Sequence, residues 1–349
     1  MAGEGAGPGD GVGVGAGVRG SVDACERAGA GPGERAAGAA SNQFGRTSEL
    51  RLVAVARGGS TVLADEYYTM PFKVMRPFAA RRSGLVGAGE GAEAARVMVM
   101  SASAGVMAGD DQRIEVRIGS GAALQVTTQA FEKVHRMEGE GSARRVTRLE
   151  VEPGGYLDYR PQPQIPFAGS AYAATTEADL ADGTSALVYE EVLSCGRVAR
   201  GERFGYRSYR NHVLVRVGGT PVYLDNAIYE PRGSRVPELA AMGMEGMGLY
   251  EGFTHLANLV LVNVGVDSAA FGAARDYLRE QTGVIGASAA LPASAGADSE
   301  AVAGGITRLG SGDVAVRLLG RRAQRLTDVL ERVRELLGAS GEDAEATAR

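Results

Sequence analysis

From residue 49 to residue 225 the chain is a succession of short β-prone runs with no helical period between them. The runs fall at 49–56, 60–64, 96–101, 114–118, 124–128, 145–151, 155–159, 171–180, 186–193, 212–217 and 221–225. Turn dipeptides punctuate them: Gly58-Gly59, Gly154-Gly155, Asp182-Gly183, Gly218-Gly219. Strands that follow one another at this spacing must pair with each other, so the expected fold is mostly β, one large β-solenoid or β-sandwich-like body. Pattern alone does not separate sandwich, barrel and solenoid. No strict repeat is visible, which disfavours a regular solenoid of identical coils.

The last third changes character. Residues 259–264 form an apolar run with the look of a buried strand. Asp267 or Ser268 can cap a helix over 269–281, and Gly283 follows as its stop. Residues 284–288 are a candidate strand, and 289–305 are rich in Ala, Ser and Gly, the composition of a flexible loop. A hairpin is expected at 306–309 and 314–318. Ala323, Leu326, Val329, Leu330, Val333 and Leu337 then recur at helical spacing, which predicts a second helix over about 321–337. Two α-helices in the C-terminal third therefore accompany the β body. Residues 1–46 are dominated by Gly and Ala and offer too little apolar surface to offset ordering, so a disordered head is expected. A frayed tail is expected over 338–349, which leaves 47–337 as the folded part.

Composition excludes several classes. A net charge of −5 is the wrong sign for a nucleic-acid binder. The chain begins without a basic and apolar leader, and no run of about 18 apolar residues occurs, so neither a signal peptide nor a membrane span is expected. Two cysteines, Cys25 and Cys195, make no disulfide framework, which fits a cytoplasmic compartment. His135, His212 and His255 stand outside any zinc-type spacing and read as structural or surface residues. No Gly-x-Ser-x-Gly elbow and no phosphate-cradling Gly-Lys-Ser/Thr loop occurs.

What remains is a set of acids at strand ends. A small-residue turn over 101–109 ends in Asp110 and Asp111, and the run 127–133 carries Gln129, Glu132 and Lys133 toward one place. Glu190 and Glu191 adjoin in an apolar strand and must point to opposite faces. An inward carboxylate needs a partner or a wet cavity. The bland expectation is that these acids are caps or salt-bridge partners for nearby arginines, such as Arg197, Arg200 and Arg210. The functional one is that carboxylates in a wet channel pass a divalent cation weakly without trapping it.

At this point the motifs resemble a family. Arg76-Pro77-Phe78, the turn from Ala104 through Gly105 and Gly109 to Asp110, and Thr127-Thr128-Gln129 with Lys133 are similar to the signature of the UreD (UreH) urease accessory proteins. So are the Pro153 to Phe167 stretch and the block carrying Glu191, Gly196, Arg197, Gly201 and Glu202. These motifs occur in order from about residue 48 to about 337. The resemblance implies a solenoid-like body and a role as a non-catalytic urease maturation chaperone. It implies that the chain docks on apo-urease together with a UreF-like accessory protein and, through that complex, a UreG-like GTPase, with no nucleic acid and no membrane as partner. It further implies that nickel is held in transit rather than as a permanent cofactor. By matching positions, Asp110, Glu132, Glu191 and Asp225 are the expected acids of a nickel passage. The competing expectations are a β-rich interaction scaffold without ion conduction, or a hydrolase that uses the acid pairs as general acid and base.

Overall fold

The structure, a computed structural model, describes residues 47–80, 92–231, 243–246, 248–282 and 299–338. The expected head, the candidate strand at 284–288 and the tail beyond residue 338 lie outside the described residues.

A hairpin of β1 (Ser48–Arg57) and β2 (Ser60–Tyr68) turns at Gly58-Gly59. Two short strands, β3 (Phe72–Val74) and β4 (Phe78–Ala80), pair with β5 (Ala94–Ser101). The chain then winds between two sheets. β6 (Asp111–Ile118) enters the first and β7 (Ala123–Thr128) the second. The three-residue β8 (Glu132–Val134) marks a bend before β9 (Ala143–Val151) in the first sheet and β10 (Tyr156–Arg160) in the second. The short β11 (Gln164–Pro166) precedes β12 (Ala171–Leu180) and β13 (Ala186–Ser194), again one in each sheet. β14 (Ser208–Val217) completes the parallel run of the first sheet, and β15 (Thr220–Tyr229) folds back on it.

Parallel neighbours need a crossover. Here the crossover is a strand of the opposite sheet, which makes the body a solenoid. Ala123 lies beside Tyr156, and Tyr156 beside Ala186, a coil of roughly thirty residues. Three antiparallel strands extend the second sheet past β13: β16 (His255–Val262), then β18 (Val314–Gly320), then β17 (Val302–Arg308) at the edge. The expected flexible loop over 289–305 is corrected in part. Its last residues belong to β17, because Val302 through Gly305 complete the ladder with β18. Among the described residues two α-helices occur, α1 (Ser268–Thr282) and α2 (Ala323–Gly338), both in the C-terminal part, and neither is long and apolar enough to cross a membrane. Asp267 is the cap of α1: its Oδ1 accepts the Ala270 N–H at 2.7 Å.

The core explains the sequence pattern. Leu52, Val116 and Leu149 of the first sheet meet Val97, Leu124 and Leu157 of the second. The far face of the second sheet is covered by the helices, with Leu326, Val329, Leu330 and Val333 against Val188, Leu259 and Leu261. A sheet buried on both faces calls for near-continuous apolar strands, as β13 and β16 are. The first sheet has one open face, so β6 and β12 alternate. Across that open face the register lines up Arg51, Glu115, Arg148 and Glu177, a row of alternating charge that suits water.

Candidate functional site: two adjoining acid-bearing cavities

The turn after β5 is brought onto β8 by backbone contact. The Val106 N–H donates to Lys133 O at 2.8 Å and the His135 N–H to Val106 O at 2.9 Å. Gly105 has φ 147°, and a Cβ there would overlap the Lys133 carbonyl, so only glycine allows the approach. Ser101 to Gly105 and Thr127 to Lys133, two segments distant in sequence, thereby wall one cavity of about 140 Å³. Gln129, Glu132 and Lys133 all line it, as the sequence predicted.

Glu132 is paired with the guanidinium of Arg145 on β9, which also donates from Nε to Gln112 Oε1 at 3.0 Å. Burial works against the charge of Arg145, and Glu132 more than offsets it, so the guanidinium holds its proton more tightly than usual. Thr128 Oγ1 accepts the Gln162 N–H at 2.8 Å and fixes that residue in place. Pro161 and Gln162 wall this cavity and also a second, smaller one.

The second cavity, about 20 Å³, has room for about one water. The second sheet turns Glu191 and Asn258 toward it, and the first sheet turns Asn211 and Asp225. Glu191 accepts from Asn258 Nδ2 at 2.8 Å, from Asn211 Nδ2 at 2.9 Å and from the Tyr189 hydroxyl at 2.9 Å. Burial pushes its carboxyl above the usual range while these three donors act in the opposite direction. Asp225 is paired with the Arg317 guanidinium, whose Nε donates to Asn258 Oδ1 at 2.8 Å.

Asp110 sits elsewhere. It is 2% exposed, its Oδ2 accepts the Met107 N–H at 2.8 Å, and its carbonyl accepts the Arg144 N–H at 2.9 Å. It ties the turn to β9 and lines neither cavity. Gly109 closes the same turn at φ 81°. The Gly196 to Glu202 block also lies off the cavities. Arg197 Nε donates to Glu202 Oε2 at 2.8 Å, and its guanidinium lies 4.2 Å from the centre of the Phe167 ring. That hydrogen bond holds the Glu202 carboxyl below its ordinary range. A Cβ on Gly196 would press into the Glu202 carbonyl, and Gly201 at φ 75° caps the 3-10 turn Val198–Arg200. The block staples a bend of the solenoid.

The expectation of arginine partners holds in kind, for Glu132 with Arg145 and for Asp225 with Arg317, but not for the arginines it named. Arg197 pairs with Glu202 and Arg210 with Glu230. The partners of the inner acids come from far along the chain: Arg317 lies 92 residues from Asp225 and Arg334 lies 144 residues from Glu190. Glu190 and Glu191 do face opposite ways, Glu191 into the cavity and Glu190 into the helix layer, where it meets Arg334 of α2. Sequence reading missed Asn211, Asn258, Arg145 and Arg317. For Asn258 and Arg317 the available signal was an amide or a cation inside an otherwise apolar strand; Arg145 and Asn211 sit among other polar residues on β9 and β14 and had no such signal. Burial pulls His255 down to about 4, so it is neutral near pH 7, and His135 packs on Phe167 at 4.9 Å between ring centres. Among the described residues no group of three or more His, Cys, Asp and Glu is placed to hold a metal ion.

A two-sheet β-solenoid with helices on one side and two acid-bearing cavities beside its apolar core defines the class. The profile of the UreD urease accessory protein family matches residues 46–349, and the chain belongs to that family. It is 34% identical over 296 residues to a urease accessory protein UreD of Acetivibrio thermocellus, which covers 85% of this chain and 99% of that one. A urease accessory protein UreH of Helicobacter pylori is 32% identical over 254 residues, 72% of this chain and 87% of its own. A urease accessory protein UreD 2 of Streptomyces griseus is 31% identical over 276 residues, 78% and 88% of the two chains.

Proposed function

We propose that this chain is a cytoplasmic, non-catalytic accessory protein of urease maturation. It docks on apo-urease with UreF-like and UreG-like partners and lets nickel pass through its interior. The observation that carries this reading is the adjacency of the two cavities through Pro161 and Gln162, with Glu132 at one and Glu191 and Asp225 at the other. Carboxylate and amide oxygens are hard, exchangeable ligands, whereas a cage of His and Cys would retain the ion. Glu191 is the acid best suited to meet it. Its present donors are two amides and a phenol, which carry no charge, so no counter-ion has to be displaced for a cation to meet it.

The test is urease activation in a host that supplies every other urease gene. Omitting this chain is expected to abolish nickel-dependent activity. Glu191→Gln is expected to leave assembly with the partner proteins intact and to reduce activation. Normal activation without the chain would remove the maturation role, and normal activation by the Gln variant would remove the passage.

A further inference from the structure

Behind the wall of the second cavity stands one cation, Arg317, bonded to that wall from outside. Register places Glu191, Asn258 and Arg317 directly beside one another on β13, β16 and β18, a row across the inner face of the second sheet. Arg317 bonds to two residues of the cavity wall, Asp225 and Asn258. It also lines a separate cleft at the surface, with Glu251 and Gly304. The two spaces share Tyr229 and Leu256. The Arg317 side chain is 54% exposed while that of Asp225 is 15% exposed, so the guanidinium reaches inward from the solvent side.

We propose that Arg317 is the gate of a second mouth, through which a divalent cation is exchanged between the inner cavity and the surface cleft. The proposal rests on the nickel-passage reading and names how that passage is closed. Charge supplies the logic. Glu191 and Asp225 carry two negative charges between them, and the guanidinium returns one. A divalent cation that enters with Arg317 in place leaves the cluster at net positive one. With Arg317 swung out, cation and carboxylates balance. The guanidinium must therefore leave Asp225 before an ion can occupy the mouth, whichever way the ion travels.

Space for the swing exists. The residue opposite Arg317 on the edge strand β17 is Gly305, and a Cβ there would meet nothing within 4 Å. Glu251 in the outer cleft offers the displaced guanidinium a carboxylate to turn toward.

The experiment uses the full chain in its complex with the partner accessory proteins, loaded with nickel, without urease. A chelator too large to enter the protein reports nickel reaching bulk solvent. Arg317→Met is expected to raise that release rate roughly tenfold, the scale of one lost charge-assisted contact. Arg317→Lys keeps a cation at the mouth and is expected to recover most of the retention. Gly305→Leu fills the space beside the guanidinium and is expected to slow release. It gives the opposite sign at a position where the added side chain has room, so it also covers an Arg317→Met protein that fails to fold. Release rates equal to wild type in Arg317→Met, or unchanged in Gly305→Leu, overturn the gate. Glu191→Gln, assayed in parallel for urease activation, separates the two ideas: reduced activation there with wild-type release in the gate variants removes the gate alone, and undiminished activation removes the passage beneath it.

Discussion

Three carboxylates of the same kind live in three environments, and the difference is electrostatic. Glu132 and Asp225 each face a guanidinium, so their charge is already matched. Glu191 faces only neutral donors, and burial raises its carboxyl. A raised native pKa means the folded state holds the proton more readily than the unfolded chain. Its contribution to stability is present at low pH and is lost as pH rises through the raised value. Glu191→Gln, which cannot ionise, should flatten that part of the profile. Thermal melts from acid to neutral pH should show the variant gaining on wild type as pH rises. A variant that loses ground instead would mean the carboxylate is stabilised by its three donors beyond the cost of burial. Backbone constrains a second position. Gly105→Ala places a side chain at φ 147° and against a carbonyl, and should cost roughly 1–3 kcal/mol in urea denaturation.

At the scale of elements, β13 is the hinge between function and support. One face carries Glu191 to the cavity, and the preceding residue, Glu190, anchors α2 through Arg334. Burial brings the Arg334 guanidinium down to about 10, still charged near pH 7, so the pair persists as an ion pair. Removing one partner strands a buried charge: Glu190→Ala should destabilise by about 3–5 kcal/mol. Replacing both, as Glu190→Leu with Arg334→Leu, should recover most of that loss. Chemical denaturation of the single and double variants checks both statements, and a double variant as weak as the single would assign the cost to packing instead. The alternation of β6 and β12 and the apolar continuity of β13 and β16 were legible in the sequence, because burial on one face or two is written at period two. The three-residue strands β3, β4, β8 and β11 were not. Three residues carry no period, and pairing with a distant strand is what makes them strands.

At the scale of the molecule, the winding itself sets the two cavities side by side. Each coil adds one strand to each sheet, and polar residues at the bends meet where the apolar core ends. Gln162 is held at the common wall of both cavities by Thr128. Gln162→Trp should therefore obstruct the route: it is expected to preserve partner assembly, to cost about 1–3 kcal/mol of stability, and to lower urease activation sharply, while Gln162→Ala activates normally. Equal activation by the two variants would place the route elsewhere. Glu132, Glu191 and Asp225 stand out in the sequence as acids, and the structure sets them at the two cavities. Asp110 was grouped with them, and the structure puts it in a turn that locks two coils together.

Strand after strand, the helices, the glycine turns and the family were determined by sequence alone, since period, propensity and turn chemistry act over a few neighbouring residues. Which acid meets which arginine was decided only in three dimensions. Arg317 reaches Asp225 and Arg334 reaches Glu190 because coil register brings together segments far apart in the chain. A buried charge is matched by whatever the fold sets beside it in space.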